Sequence, residues 1–223
     1  MDRNTFDGNY RQRLMALATT NISDALDKVG IRGAIIGIRP QAGNKKVVGR
    51  AVTIKIIASG LAKSKHHLGV EAISSAEPGD LIAIDNHGDI RNNCWGEILA
   101  CASKMKGVGG VIIDGAARDV DACEEMDFPV YARAVVPITA RGRTMQESFN
   151  RPIRLGDVHV RPGDILMADV NGVVCIPPEK MDEVLEAAEA IMEKEEAMKR
   201  DLIDGMDVLE VDKKYNYEQM LKG

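Results

Sequence analysis

The chain has 223 residues, enough for one domain with its own core, and its 45% hydrophobic and 28% charged residues exclude a disordered or fibrous protein. A net charge of -5 without a basic tract argues against nucleic acid as a partner. No signal peptide and no apolar run near the ~18 residues of a spanning helix is found, which predicts a cytoplasmic protein without a membrane partner.

Two short helices are predicted at the start of the chain. Apolar residues recur at helical spacing in FDGNYRQRLMALA. In the next segment, Asn21 is a candidate N-cap with Asp24 three residues later, and this second helix is expected to end at Gly30.

A strand and a third helix are predicted next. β-branched residues alternate from Val47 onward, which is typical of a strand. A helix is expected from Lys63 to Ala76. It would place the adjacent His66 and His67 on different faces, where they make a poor chelating pair.

Two stretches of the chain begin with the same Pro-Gly-Asp sequence, EPGDLIAIDN at 77–86 and RPGDILMADV at 161–170. Pro-Gly fits the central positions of a type II turn, since proline presets a negative φ and glycine accepts a positive one. Each turn leads into an apolar strand, so we interpret the two stretches as the same turn-strand structure occurring twice.

Strands and helices alternate between these two turns. A polar loop from Asp85 to Asn93 is predicted to lead into a helix that ends at Gly107. The apolar face of this helix is expected to carry Ile98, Leu99, Ala102 and Met105. The strand GVIIDG, a short helix and the strand PVYARAVV follow, and this order predicts an α/β fold with parallel strands.

A long helix is predicted near the carboxyl terminus. Pro178 fits its first turn, and its apolar stripe consists of Met181, Val184, Leu185, Ala188, Ile191 and Met192. One domain is therefore expected over residues 1–205. The polar tail at 206–223 is expected to pack on a neighbouring protomer.

The cysteines and the glycine clusters do not indicate a cofactor. Cys94, Cys101, Cys123 and Cys175 form no C-x-x-C pair, so they are predicted to be reduced core residues rather than zinc ligands or nucleophiles. The sequence GVGG precedes a strand, whereas a dinucleotide fingerprint follows one. His87 is interpreted as a solvated loop residue.

The strongest candidate site is the pair Arg118 and Asp119, just past the strand GVIIDG that begins at Gly110. Ligands of open α/β sheets collect at the carboxyl ends of strands. An arginine there can bind a carboxylate in a bidentate fork, and an aspartate can bind a divalent cation. The alternative is a surface ion pair, or a helix cap formed by Asp119.

A second candidate is the start of the helix at Gly96 and Glu97. The free amides of Glu97, Ile98 and Leu99 face outward with the positive end of the helix dipole, which suits a small carboxylate or phosphate. The alternative is that Glu97 only complements the dipole.

Together these segments resemble the RraA-like family, which contains 4-hydroxy-4-methyl-2-oxoglutarate aldolase and the regulator of ribonuclease activity A. The matching stretches run in unbroken order and are TTNISDAL, GRAVTI, PGDLIAIDNHGD, CWGEILA, GVGGVIIDGAARD, PVYARAVVP and VRPGDILMADVNGVVCIP. The combination is specific, whereas any single stretch would be weak.

The resemblance implies a β/β/α swivelling-type sandwich domain that assembles as a homotrimer or homohexamer with active sites between protomers. It also implies a class II aldolase that uses a divalent metal, Mg²⁺ or Mn²⁺. Such an enzyme cleaves 4-hydroxy-4-methyl-2-oxoglutarate-type 2-oxo acids to pyruvate and a second 2-oxo acid. Oxaloacetate decarboxylation is implied as a second activity.

The resemblance also implies roles for individual residues. Arg118 would bind the pyruvyl part and stabilise its enolate, and Asp119 would anchor the metal, partly through water. Glu97 would lie near the metal waters as the candidate base for the 4-hydroxyl proton. An acid from a neighbouring protomer's carboxyl-terminal helix is also implied, for which the candidates are Glu193, Glu195 and Glu196.

Substrate contacts are implied for the helix start as well. The amides of Ile98 and Leu99, next to Gly96, would bind the substrate carboxylate. The loop HGDIRNN and the segment near Arg141 are predicted to set substrate choice, and the accepted 4-substituent stays open.

Two other functions stay open. One is a non-catalytic, protein-binding regulator, and the other is a lyase of the same scaffold that acts on another 2-oxo or sugar-derived acid. The resemblance favours an enzyme over the regulator because the regulator branch lacks an aspartate at the position of Asp119.

Overall fold

A computed structural model describes residues 6, 8–43, 45–61 and 67–216. The helices are α1 Gly8–Ala16, α2 Thr19–Lys28, α3 Val70–Ser75, α4 Glu97–Lys106, α5 Val120–Glu125, α6 Met181–Ile203 and α7 Val208–Tyr215. The strands are β1 Ala34–Ile35, β2 Arg39–Ala42, β3 Val47–Ala58, β4 Leu81–Asn93, β5 Gly110–Ala117, β6 Val130–Val135, β7 Thr144–Phe149, β8 Ile153–Leu155, β9 Val158–Val160, β10 Ile165–Asp169 and β11 Gly172–Ile176.

The main sheet has nine strands and is parallel at its centre. The order is β1-β11-β10-β3-β4-β5-β6-β2, with β7 paired to β3. Strands β3, β4, β5 and β6 pair in parallel, whereas the other pairings of this sheet are antiparallel. This arrangement confirms the predicted α/β fold with parallel pairing, and it brings the carboxyl ends of four strands to one edge.

Buried side chains form three clusters around the sheet. The first packs the sheet against α3, α4 and α5 and includes Ile54, Trp95 and Phe128. The second lies under α1, α2 and α6, and it contains every residue of the predicted α6 stripe, with Met192 only partly buried. The third packs the small β8-β9 hairpin against the sheet. The long-helix prediction is confirmed, although Pro178 lies in a short 3-10 helix that precedes α6.

Both Pro-Gly turns form as predicted. Gly79 and Gly163 have φ of 86° and 87°. In each turn the amide of the following aspartate, Asp80 or Asp164, donates to the carbonyl three residues before it, at 3.0 and 3.1 Å. The carboxylate of the same aspartate accepts from the amide of that residue, at 2.9 and 2.7 Å, so the aspartate closes the turn from both sides.

The N-cap prediction for the second helix is wrong. Helix α2 begins at Thr19, and Ala18 occupies the N-cap position. Asn21 lies inside the first turn, where its Oδ1 accepts from the Ala18 amide at 3.1 Å. The Asn21 side chain caps the same end of the helix from its third position, so the predicted N-cap lies three residues after the observed one.

The helix predicted from 63 to 76 forms at 70–75, and its predicted start is wrong in the described part. Helix α3 begins only at Val70, because Gly69 adopts a φ of 83° at its N-cap position and interrupts helical geometry. His67 precedes the helix and does not belong to it. Residues 62–66, including His66, lie outside the described residues.

The predicted loop from Asp85 to Asn93 is a continuation of β4. Its pairing with β5 is irregular, since Asp89 pairs with Gly115 and Asn93 with Ala116. Polar side chains suggested a loop, but backbone hydrogen bonding to β5 keeps the segment in the sheet through bulges.

The predicted apolar face of α4 is wrong in orientation. The buried residues are Leu99, Ala100 and Ser103, whereas Ile98 is 72% and Met105 82% exposed. Ala102 is exposed as well. The face of α4 that packs on the sheet is therefore not its most apolar face. The most apolar face stays exposed in the single chain.

The described part of the carboxyl-terminal tail folds back on its own chain. Val211 of α7 is only 1% exposed, and Lys214 and Tyr215 contact the Asp201 carboxylate of α6 at 2.7 and 2.8 Å. Packing of the tail on a neighbouring protomer stays a prediction. Within the described parts of the chain, no helix has the length and apolar character needed to span a bilayer.

Candidate active site

Arg118 is positioned by a strand that is buried along its whole length. Every residue of β5 is buried, and Arg118 is the first residue after it. The Arg118 amide donates to the Trp95 carbonyl at 2.9 Å, and the Cys94 amide donates to the Ala116 carbonyl at the same distance. These two bonds tie the carboxyl end of β5 to the segment that leads into α4.

Asp119 joins the two predicted halves of the site. It occupies the N-cap position of α5 with φ of 53°, but its side chain makes no hydrogen bond to that helix. Instead, its Oδ2 accepts from the Glu97 amide at 3.2 Å and lies 3.3 Å from Arg118 Nε. The alternative of a local ion pair is therefore observed, but the alternative of a cap for α5 is not.

Gly96 is placed where a larger residue would displace this carboxylate. Its backbone is extended, so its conformation does not require glycine. A Cβ added to Gly96 would lie 2.6 Å from Asp119 Oδ2 and 3.3 Å from Arg118 Cγ. Close approach of the backbone to the Arg-Asp pair explains the glycine.

The start of α4 offers amide donors that have no acceptor among the described residues, beside Asp119. The amides of Ile98 and Leu99 belong to the first turn, where a helix has no internal acceptor for them. The Glu97 side chain is exposed at this position. The same end of the helix thus presents two amides and one carboxyl group.

These groups line a single cavity of about 240 Å³. All predicted site residues contribute to its wall, namely Gly96, Glu97, Ile98, Leu99, Arg118 and Asp119. The rest of the wall comes from residues 67–68, 93–95 and 139–144, without Arg143. Thr139 and Thr144 are not predicted from the sequence, because they reach the cavity only through folding.

Three polar atoms next to the cavity are buried without a hydrogen-bond partner among the described residues. They are Asn93 Oδ1, Trp95 Nε1 and Arg118 Nε. The Arg118 side chain is 32% exposed, so its outer nitrogens reach the cavity. An arginine that lines a cavity with part of its side chain exposed can recognise a carboxylate.

Two buried cysteines near the cavity are poorly suited to act as nucleophiles. Cys94 lines the cavity, but burial, assisted by Asp114 and Asp89, raises the pKa of its thiol far above the usual range. Burial and the nearby Asp119 raise the pKa of Cys123 to about 11. Both are thiols rather than thiolates at neutral pH. The core prediction is wrong for Cys101, which is exposed.

Several other candidates lie away from the cavity. Glu195 accepts from Asn21 at 2.9 Å, and Glu196 pairs with Lys199 at 2.8 Å. The cavity wall of the same chain contains none of Glu193, Glu195 and Glu196. His87 is 57% exposed beside Asp85 and also lies outside the wall, as expected for a solvated residue.

Asp119 is the residue best suited to hold a divalent cation. Its Oδ1 accepts no hydrogen bond from any described residue. No group of three or more His, Cys, Asp or Glu side chains converges on a metal position within the described residues. One carboxylate with water and substrate oxygens completing the shell fits Mg²⁺, which is commonly bound by one or two carboxylates.

The family model described as Aldolase/RraA matches residues 19–175, which is more than half of the chain. The chain belongs to the RraA-like family. The match covers β4, β5 and the start of α4, so both halves of the site lie within the RraA-like region.

Relatives and solved structures extend this similarity. A protein of Halalkalibacterium halodurans, provisionally named 4-hydroxy-4-methyl-2-oxoglutarate aldolase, is 36% identical over 89% of this chain and 90% of its own. Protein DlpA of Legionella pneumophila is 30% identical over 95% of this chain, which spans only 34% of DlpA. RraAS2 of Streptomyces coelicolor, an RraA family member, has the same fold, with a TM-score of 0.78, 24% identity and coverage of 87% and 97% of the two chains.

Proposed function

We propose that this RraA-like protein is a divalent-metal-dependent aldolase. It would cleave 4-hydroxy-4-methyl-2-oxoglutarate-type 2-oxo acids to pyruvate and a second 2-oxo acid, and decarboxylate oxaloacetate as a side activity. One observation carries the proposal, namely the contact between the Arg118-Asp119 pair and the Glu97 amide at the edge of a single cavity. The name of the Halalkalibacterium halodurans relative supports this reaction class.

The residues present match the demands of this reaction. Breaking the C3–C4 bond leaves negative charge on the 2-oxo group, so a fixed positive charge stabilises the transition state more than the ground state. Arg118 supplies such a charge, held in place by its backbone bond to Trp95. The amides of Ile98 and Leu99 would bind the substrate carboxylate, next to Gly96.

Asp119 would hold the cation, and Glu97 is the candidate base. A divalent cation supplies Lewis-acid stabilisation of a developing enolate oxygen when it is bound. Glu97 is exposed at the cavity edge and would take the proton of the 4-hydroxyl group. Decarboxylation of oxaloacetate develops charge on the same oxygen, which is why one site serves both reactions.

The test is pyruvate release from 4-hydroxy-4-methyl-2-oxoglutarate and from oxaloacetate, with Mg²⁺, with Mn²⁺ and with a chelator. We expect activity only with metal, and Arg118→Ala should lower kcat by roughly a hundredfold or more, because it removes a charge aimed at the enolate. Asp119→Asn should weaken Mn²⁺ binding, measured by electron paramagnetic resonance without substrate.

The matched control is another Arg-Asp pair of this chain. Of the segment HGDIRNN, only Asn93 lines the cavity, so Arg91 lies outside its wall. Arg91 is 84% exposed and its Nε lies 2.8 Å from Asp89 Oδ1. Arg91→Ala should keep full activity.

Free metal decarboxylates oxaloacetate unaided, so each rate is corrected by a reaction without protein. Metal-independent turnover, or full activity of Arg118→Ala, would contradict the proposal. Absence of turnover with every substrate would favour the protein-binding regulator instead.

A further inference from the structure

A second arginine lines the candidate active-site cavity and has no acidic partner in the part of the chain that the structure describes. Arg141 is exposed in the wall that also contains Arg118. Arg118 contacts Asp119, but no described carboxylate forms an ion pair with the Arg141 guanidinium. Among the described residues, its only hydrogen bond is made by its backbone amide, to Thr139 Oγ1 at 3.2 Å. The side chain is therefore available to a ligand.

The loop that carries this arginine is anchored to the sheet on both sides. Val136 donates to the Ala117 carbonyl at the end of β5, at 2.9 Å. Ser59, just after β3, donates from its amide to the Arg143 carbonyl at 2.9 Å and from its hydroxyl to the Gly142 carbonyl at 3.0 Å. A loop held in this way presents its side chain to the cavity at a lower entropic cost than a free loop would.

The charge of the wall favours a ligand with two negative groups. The formal charges of Arg118 and Arg141 balance those of Glu97 and Asp119. A divalent cation at Asp119 would leave an excess of two positive charges, which a dianion neutralises. A monoanion would leave one guanidinium of the cavity without a counter-charge.

We infer that Arg141 binds the second carboxylate of a dicarboxylic 2-oxo acid and so determines the preference for dicarboxylates over monocarboxylates. The inference rests on the proposed function for the identity of the acid, since the first carboxylate is assigned to the start of α4 and the 2-oxo group to Arg118. Arg141 acts in specificity only. It takes no part in breaking the carbon–carbon bond.

Arg143 provides a matched control in the same loop. It carries the same charge and is exposed, but it does not line the cavity. Its Nη1 donates to the Thr139 carbonyl at 3.2 Å, so its loss perturbs the loop at least as much as the loss of Arg141 would. Arg143→Gln thus separates a loop or charge effect from recognition.

The first experiment measures binding without turnover. Isothermal titration in the presence of Mn²⁺ compares 2-oxoglutarate, a dicarboxylate, with 2-oxopentanoate, a monocarboxylate of equal chain length. Arg141→Gln should weaken 2-oxoglutarate binding by roughly ten- to a hundredfold, the effect of one charged hydrogen-bonded pair. Its affinity for 2-oxopentanoate should not change, and Arg143→Gln should alter neither affinity. An equal loss for both acids, or no loss for 2-oxoglutarate, would overturn the inference.

The second experiment separates this inference from the proposed function. The values of kcat/KM are compared for 4-hydroxy-4-methyl-2-oxoglutarate and for 4-hydroxy-2-oxopentanoate, which lacks the second carboxylate. Arg141→Gln should raise KM for the dicarboxylate alone and leave kcat unchanged. If the wild type turns over neither acid, the aldolase proposal fails, and the titration still decides whether Arg141 reads a second carboxylate. A fall in kcat for both substrates would assign Arg141 another role.

Discussion

Gly96 lies where the start of α4 meets the Asp119 carboxylate, and its hydrogen atom faces the space that a methyl group would need. The atom that would be displaced is the end of a flexible side chain, not backbone. A substitution there should therefore move the Asp119 carboxylate at little cost to the fold. A substitution at Gly96 therefore separates an effect on the active site from an effect on the stability of the fold.

Gly96→Ala should lower kcat/KM by roughly a hundredfold, the effect of a small misplacement of a reacting group, with an almost unchanged Tm. Steady-state pyruvate release and thermal unfolding measure the two quantities. Gly8→Ala is the control, because a Cβ at Gly8 meets nothing within 4 Å. A large fall in Tm for Gly96→Ala would mean that the glycine serves the fold rather than the position of Asp119.

At the scale of elements, the two Pro-Gly-Asp turns start the strands that flank β3. β4 pairs with β3 in parallel, and β10 pairs with it on the other side. Asp164 is 3% exposed and accepts from the Arg161 amide at 2.7 Å and from Arg161 Nη2 at 2.9 Å. Asp80 plays the same part in the other turn, where Arg50 Nε lies 3.0 Å from its carboxylate.

Asp164→Ala should lower the free energy of unfolding by about 2 kcal/mol, because it leaves a turn amide without its acceptor. Urea unfolding followed by circular dichroism measures the change. Asp157→Ala is the matched control, since Asp157 is fully exposed and contacts Arg154 only at 3.5 Å. That variant should stay within about 0.5 kcal/mol of the wild type. Equal losses of unfolding free energy in Asp164→Ala and Asp157→Ala would contradict the stabilising role of the buried Asp164 carboxylate.

At the scale of the whole molecule, α4 carries an apolar surface beside the cavity. Ile98 and Met105 are 72% and 82% exposed in the single chain. Contiguous exposed apolar residues mark interaction surfaces in soluble proteins. This exposure supports the proposal, implied by the resemblance, that the protein is a homotrimer or a homohexamer.

Light scattering after size exclusion should give a mass that is three or six times the 24.2 kDa of one chain. Met105→Glu should shift the protein toward the monomer, because a charge would be buried in the interface. Ile36→Glu, at a residue 78% exposed near β1, should not change the mass. A monomeric wild type would contradict the proposed assembly. If Met105→Glu and Ile36→Glu both gave monomers, the assignment of the interface to α4 would be contradicted.

The sequence was sufficient for features that depend on near neighbours along the chain. The apolar run of β5, the Pro-Gly turns and the stripe of α6 are local patterns, and each forms as expected. The position of Arg118 just past β5 follows from the length of that run. Parallel order was also predictable, because strands separated by helices must cross over.

Only the tertiary structure decided which of these pieces meet. The contact between Asp119 and the Glu97 amide depends on the parallel pairing of β4 and β5, and the presence of Arg141 in the wall depends on the anchored loop after β6. The continuation of β4 to Asn93 and the buried stripe of α4 were mispredicted for the same reason. Backbone pairing and the shape of the sheet outweighed local polarity there, since both are set by residues distant in sequence.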